Sequence, residues 1–298
     1  MEDLAKILLL ANCAVNIPLA LASVIGNALV LHAVWKTPSF RSPSILLLCG
    51  LALSDLAVGA VVQPLFITHV LVKLFGSFAV ENLVNNLYNT VAFSLCGISF
   101  FTIALISLDR LIAVVKPFKY PNIVTVPRVV FTLIGMWLLF SSIASMQVWA
   151  VNVLWSTVVL VVFCGFCIST ISHVKIYRIV RQHQNAIQVQ MQAVQVSVTN
   201  AINMTRLKKS AQNTFIVYLV LILCYSPYAV VGVTTFIYPS GRYLPRILVS
   251  TIVFMKSSLN PILYCWRSRE IRVVVAQTCR PLVFWRRNVR RQIHPANQ

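Results

Sequence analysis

The sequence predicts an all-α membrane protein: a seven-transmembrane helix bundle with a short amphipathic eighth helix. Three observations predict it. Of 298 residues, 58% are hydrophobic and only 10% are charged, against roughly a quarter charged in a soluble domain. The apolar residues gather into seven runs, each long enough to cross a bilayer as a helix. The basic residues fall mainly in alternate connections between those runs. Only helices and closed barrels satisfy every backbone group in lipid, and runs this long are not the short alternating strands of a barrel. Seven spans use up the chain, so one domain over 1–298 is expected.

The runs cover 8–35, 44–72, 82–115, 127–149, 151–180, 211–237 and 245–266. The first begins soon after Met1 with no cleavable pattern, and reads as a first span and uncleaved signal anchor. The fourth and fifth are so close that Met146–Trp155 is nearly one apolar run. Between the fifth and sixth, Gln182 to Thr205 is Gln-rich and free of Pro and Gly, so both helices are expected to continue into the cytosol. Residues 267–279 read as an amphipathic helix, with Ile271, Val274 and Val275 in lipid and Arg267, Arg269 and Arg272 near head groups. Cys279 is a lipidation candidate, with a free thiol as the alternative. Residues 280–298 form a basic cytosolic tail.

The net charge is +19. With the C-terminus inside, 20 of the 25 Lys and Arg residues face the cytosol; Lys6, Lys73, Arg242 and Arg246 lie outside and Lys256 within a span. That bias places the N-terminus outside, in a multi-pass protein of the plasma membrane. The charge then meets anionic inner-leaflet lipid rather than nucleic acid, which it would suggest on a soluble surface. None of the eight cysteines lies in a predicted outer loop, so no extracellular disulfide is expected. No metal cluster and no nucleophile–base constellation is visible, so neither enzyme nor cofactor nor metal is expected. A seven-helix pump or transporter would need a chain of intramembrane acids, and only Asp55 lies in mid-span.

Polar residues inside spans are costly and mark function. In order, the spans carry Gly26-Asn27, Leu51-Ala52-Leu53-Ser54-Asp55, Ser107-Leu108-Asp109-Arg110-Leu111, Trp137, Cys224-Tyr225-Ser226-Pro227 and Asn260-Pro261-Ile262-Leu263-Tyr264. This ordered set covers nearly the whole chain and resembles the signature of rhodopsin-like (class A) G-protein-coupled receptors. Lys116-Pro117 and Tyr120 resemble that family's second inner loop. The resemblance implies a receptor that transduces binding of an extracellular ligand, whether small molecule, lipid or peptide, into activation of a heterotrimeric G protein. It also implies that Asp109 holds Arg110 at rest and that Arg110 meets the G protein when the bundle opens. Pro227 and Pro261 should kink their helices, Tyr225 stands where the family usually has Trp, and Tyr264 faces the inner cavity on activation. The blander alternatives are a snorkelling Arg110 and prolines that bend without switching. The sixth span's usual acidic partner for Arg110 is replaced by Arg206-Leu207-Lys208-Lys209, so that lock is expected to be missing and ligand-free signalling to be high.

In the family a sodium ion sits among residues matching Asp55 and Ser99, within a polar network that here includes Asn27 and Ser257. Lys256 stands where the family usually has Asn, four residues before Asn260 and on the same helix face. An unpaired charge at that depth is costly, and a mutual pair less so. An internal Lys256–Asp55 salt bridge replacing sodium is therefore expected; the alternative is a neutral lysine pointing elsewhere. A retinal-binding opsin would need its lysine at position 254, which is Phe, and two residues turn a side chain by about 200° on a helix. Ligand-pocket candidates in the outer half, between helices 2, 3, 5, 6 and 7, are Gln63, Tyr88, Asn89, Ala92, Phe93, Tyr228 and Phe236, each equally explicable as packing. Ala92 stands where amine receptors carry an aspartate, so a monoamine is not expected. Asn85 replaces the usual third-span cysteine and the fifth span lacks proline. Both departures resemble the melanocortin, cannabinoid and lysophospholipid receptors and point to a lipid or peptide. The missing proline also puts the family's usual linkage of helices 3, 5 and 6 in doubt.

Overall fold

Seven long helices follow the seven apolar runs. The computed structural model describes residues 2–37, 42–76, 78–193, 198–237, 243–267 and 272–278. Within these, the side chains of 2, 78–79, 151–152, 155–156, 183–193, 198–214, 235–237 and 267 lie outside the description. The helices are α1 (Glu2–Lys36), α2 (Pro43–Phe75), α3 (Phe78–Val115), α4 (Val126–Trp149), α5 (Val151–Ala193), α6 (Val198–Ile237) and α7 (Tyr243–Arg267). A one-turn helix, Tyr120–Ile123, joins α3 to α4, and 272–278 forms α8. Each of α1 to α7 contains a stretch long and apolar enough to cross a membrane.

Local chemistry explains the irregular points. A π-helical turn, Val58–Val62, interrupts α2 just before Pro64. Proline brings no N–H and its ring clashes with the carbonyl four residues back, so the preceding turn widens. α4 and α5 are separated by Ala150 alone, whose φ of −147° and ψ of 51° leave the helical region. α5 and α6 run on to Ala193 and from Val198, well past the apolar limits at 180 and 211, as a link without Pro or Gly allows. α1 likewise starts at Glu2 rather than at 8.

α3 is the hub and packs against α2, α4, α5 and α6, while α1 lies along α2 and α7, and α6 against α7. One buried cluster gathers Leu51, Phe100, Leu221, Tyr225 and Tyr264; a second gathers Phe66, Tyr88, Ile98 and Phe254. The outward faces remain apolar: Phe131, Leu138 and Leu223 are all exposed, which suits a protein whose solvent is lipid. Gly26 brings α1 onto α7, because a Cβ there would lie 2.7 Å from the Pro261 ring.

The amphipathic eighth helix differs from expectation in one respect. Val274 and Val275 pack against the first of these clusters rather than lying in lipid. An apolar repeat shows only that a face is buried, and in a membrane protein the cover can be either. Arg272 is exposed. Ile271, Arg269, the Arg267 side chain, Cys279 and the basic tail fall outside the described residues.

Candidate functional site

Asp55 of α2 is fully buried, and its carboxylate gathers donors from two other helices. Ser99 of α3 donates to Oδ1 at 2.6 Å, and Ser257 of α7 donates to the same oxygen at 2.8 Å. Lys256 Nζ stands 3.1 Å from Oδ1 and also donates to the Ser99 hydroxyl. Asn260, one turn along α7, donates to Oδ2. Lys256 is only 1% exposed, so the two charges cancel locally, as they must at this depth. Asn27 carries the network to α1 by donating to the carbonyls of Ser23 (2.9 Å) and Ser257 (3.1 Å).

A second polar cluster ties α1 to α2 and α7. Asn16 donates to the Thr251 hydroxyl at 2.8 Å, and Thr251 donates to Asn12 Oδ1 at 2.9 Å. Gln63 donates to Asn16 Oδ1 at 3.3 Å. That contact takes Gln63 away from the ligand pocket assigned to it from sequence.

The cavity lies between α3, α4, α5, α6 and α7. Tyr88, Asn89, Ala92 and Phe93 of α3 and Tyr228 of α6 line it, together with Phe140 of α4 and Val161 of α5. Phe236's side chain is outside the described residues. Among the described residues the lining includes none from the expected α2 wall, and α4 takes its place. Phe66 of α2 fills that side, its ring centroid 5.7 Å from Tyr88 and 5.3 Å from Phe254. Among the described residues, no carboxylate, ammonium, guanidinium or imidazole lines the cavity. Behind the lining, His69 stacks on Tyr88 at 5.1 Å, and Lys73 pairs with Glu81 and lies over the Tyr243 ring.

At the other end Asp109 is a shared acceptor. Arg110 donates to its Oδ2 from Nε at 2.9 Å, as does Ser44 of α2 at 2.9 Å, while Tyr120 donates to Oδ1 at 2.7 Å. Arg110 also donates to Ser44. Burial pushes the Tyr120 phenol up, with the Ser44 hydrogen bond opposing and Asp109 adding to the rise, so Tyr120 stays a donor. The side chains of Arg206 to Lys209 lie outside the described residues. Between α5 and α6, His173 stacks on Tyr218 at 4.6 Å, and its Nε2 is 3.3 Å from the Ser107 hydroxyl. That hydroxyl donates to the Ile103 carbonyl, which leaves it to accept from the imidazole. Tyr225 donates to the Cys96 carbonyl at 3.1 Å.

Residues 26–153, which carry Asn27, Asp55, Ser99, Asp109 and Arg110, match the family model "7 transmembrane receptor (rhodopsin family)". Over 87% of its length the chain is 25% identical to the histamine H2 receptor of Rattus norvegicus, covering 76% of that receptor. Over residues 26–153 the chain is therefore similar to rhodopsin-family receptors, and its seven apolar helices agree with that likeness. It is also 26% identical to human melanopsin over 86% of the chain and 59% of melanopsin. A shorter likeness, 32% over 38% of the chain, is to the octopamine receptor Oamb of Drosophila melanogaster. The receptor is thus a multi-pass plasma-membrane protein that converts binding of an extracellular ligand into activation of a heterotrimeric G protein.

Two family properties can be tested against this receptor's residues. They do not fit a sodium ion: Lys256 Nζ already takes Asp55 Oδ1 and the Ser99 hydroxyl, the oxygens a cation would use. Nor do they fit an opsin, since Phe254 lines the cavity while Lys256 is turned to Asp55. Asn12, Asn16, Thr251, Ser44 and His173 were not among the sequence candidates. An Asn pair four residues apart inside an apolar run is a signal that would have found the first two.

Proposed function

We propose that this receptor answers an uncharged, largely apolar ligand of lipid-like or uncharged peptide character, bound in the cavity between α3 and α7. The carrying observation is that the described residues of the lining include no ionised group. A cation buried there without a counter-charge would be strongly penalised. Histamine and octopamine, which name two of the relatives, are amines and would need one. Ala92 lines the cavity where amine receptors carry an aspartate. Asn85 in place of the third-span cysteine and the one-residue α4–α5 link support the likeness to melanocortin, cannabinoid and lysophospholipid receptors.

The charge bias of 20 in 25 supports an N-terminus outside and a C-terminus in the cytosol. Asp109 and Ser44 hold Arg110 until α6 swings about Pro227 and exposes it to the G protein. Tyr225, Asn260, Pro261 and Tyr264 take part in that rearrangement. Lys256 serves in place of the sodium ion, and Cys279 is a lipid attachment point. Thermal unfolding of purified receptor tests the ligand reading. Histamine and octopamine should leave wild type unchanged, whereas Ala92→Asp should be stabilised by an amine. Wild-type stabilisation or signalling by either amine would sink the reading.

A further inference from the structure

The face of α4 that lines the cavity continues one step past it. Phe140, Ile143 and Ala144 line the cavity. Gln147 follows on the same face, three residues beyond Ala144 and four beyond Ile143. It is 8% exposed, whereas Val148 and Trp149 beside it face outward. Helical side chains lean towards the N-terminus of their helix and cover the preceding turn. Gln147 therefore leans back over Ile143 and Ala144, towards the cavity.

Among the described residues, Gln147 Oε1 is enclosed and has no hydrogen-bond partner. A carbonyl buried in this way has lost its water and gained no donor in exchange. The neighbouring polar groups differ. Asn89, which does line the cavity, donates from Nδ2 to Asn85 Oδ1 at 3.0 Å. On α4, Ser141 is bonded to Ser94, and Ser142 and Ser145 donate to carbonyls of their own helix. The buried amide is left open while exposed hydroxyls are satisfied, the kind of local exception that functional sites carry. We infer that Gln147 binds the ligand: its Oε1 accepts a hydrogen bond from an uncharged N–H or O–H group of the molecule in the cavity. The inference rests on the reading of an uncharged, largely apolar ligand and adds a polar end to it. The apolar body lies against Phe93, Val161 and Val162, and an amide or alcohol donor reaches Gln147. An ester or ether offers acceptors alone and leaves Oε1 unpaired. A fatty amide and an uncharged peptide share the required donor.

Thermal unfolding of the purified receptor, in which a ligand's affinity appears as stabilisation, separates these sources. The probes are a long-chain fatty primary amide, the methyl ester of the same acid, and a capped apolar peptide amide. The fatty amide should bind wild type roughly tenfold more tightly than the ester, and Gln147→Met should abolish the difference by weakening the amide alone. Binding of the peptide instead, with the same loss in Gln147→Met, supports the inference and names the peptide as source. An ester that binds as tightly as the amide, or a preference that survives Gln147→Met, overturns it. The ligand-free receptor gives a second readout. With no partner to lose, Gln147→Met should unfold no earlier than wild type. Unfolding about 2 °C or more earlier would mean that Oε1 is satisfied within the fold, and would overturn the inference. Gln147→Leu is read in the same way if the Met variant does not fold, and failure of both overturns it too. If no probe binds wild type, the reading of an uncharged ligand fails, while the ligand-free comparison still decides the role of Gln147.

Discussion

α1, α2 and α7 are joined by hydrogen bonds that cross between helices at several levels. Thr251 and Gln63 meet Asn12 and Asn16; Lys256, Ser257 and Asn260 meet Asp55; Ser258 donates to the Leu19 carbonyl at 2.8 Å. On the opposite side of α3, α5 and α6 are attached mainly through rings. Phe100, Phe166 and Tyr225 pack together, as do His173 and Tyr218. Side-chain hydrogen bonds among the described residues there include His173 to Ser107, Thr170 with Tyr218 at 2.5 Å, and Tyr225 to Cys96. The difference bears on which part can move. Lipid tails are as apolar as the core, so sliding rings past one another changes little, whereas separating buried polar groups leaves them unpaired in hydrocarbon. The α1–α2–α7 side is the stiffer frame, with the inner end of α7 at Asn260–Tyr264 moving only as α6 does, and the α5–α6 side rearranges more readily.

The sharpest way to break that contrast is to unpair the frame's charge. Lys256→Met leaves Asp55 without its cation and should cost about 3–5 kcal/mol, seen as lost surface expression and a lower unfolding temperature. The double variant Asp55→Leu, Lys256→Met should recover most of the stability; if it is no better than the single, the pair is not the source of the cost. Next in size is the inner latch. Ser44→Ala removes a donor to Asp109 and an acceptor of Arg110, and ligand-free signalling should rise roughly 5-fold; a G-protein activation assay at matched expression checks it. Asn16→Ala should lower stability by only about 1 kcal/mol while leaving signalling unchanged, because it touches the frame alone; thermal unfolding and the same assay read the two effects. The smallest effect belongs to His173→Phe, which keeps the stack on Tyr218 and loses one hydrogen bond. Its stability should stay within about 0.6 kcal/mol of wild type, and a larger loss would mean that α5 is held by more than rings.

The seven spans were legible because lipid leaves few ways to hide an apolar run. Lys256 could be set beside Asp55 for a related reason: two charges within spans, one turn from Asn260, have few partners. The amides were harder. Gln63 reads equally as a pocket residue or a packing residue until Asn16 is seen opposite it, and that pairing joins residues 47 apart in sequence. Val274 and Val275 show that an apolar face does not declare whether lipid or protein covers it. Phe100 and Phe166 lie in runs rich in apolar residues, where no period marks which ring meets which; only the crossing of α3 and α5 does.

The most direct measurement is the unfolding temperature of the detergent-solubilised receptor in sodium chloride against potassium chloride at equal ionic strength. With Lys256 filling the place of a cation, wild type should unfold at the same temperature in both salts, and Lys256→Asn should be stabilised by sodium over potassium. Wild type unfolding later in sodium would mean that the oxygens around Asp55 still take up the ion and that the lysine does not replace it.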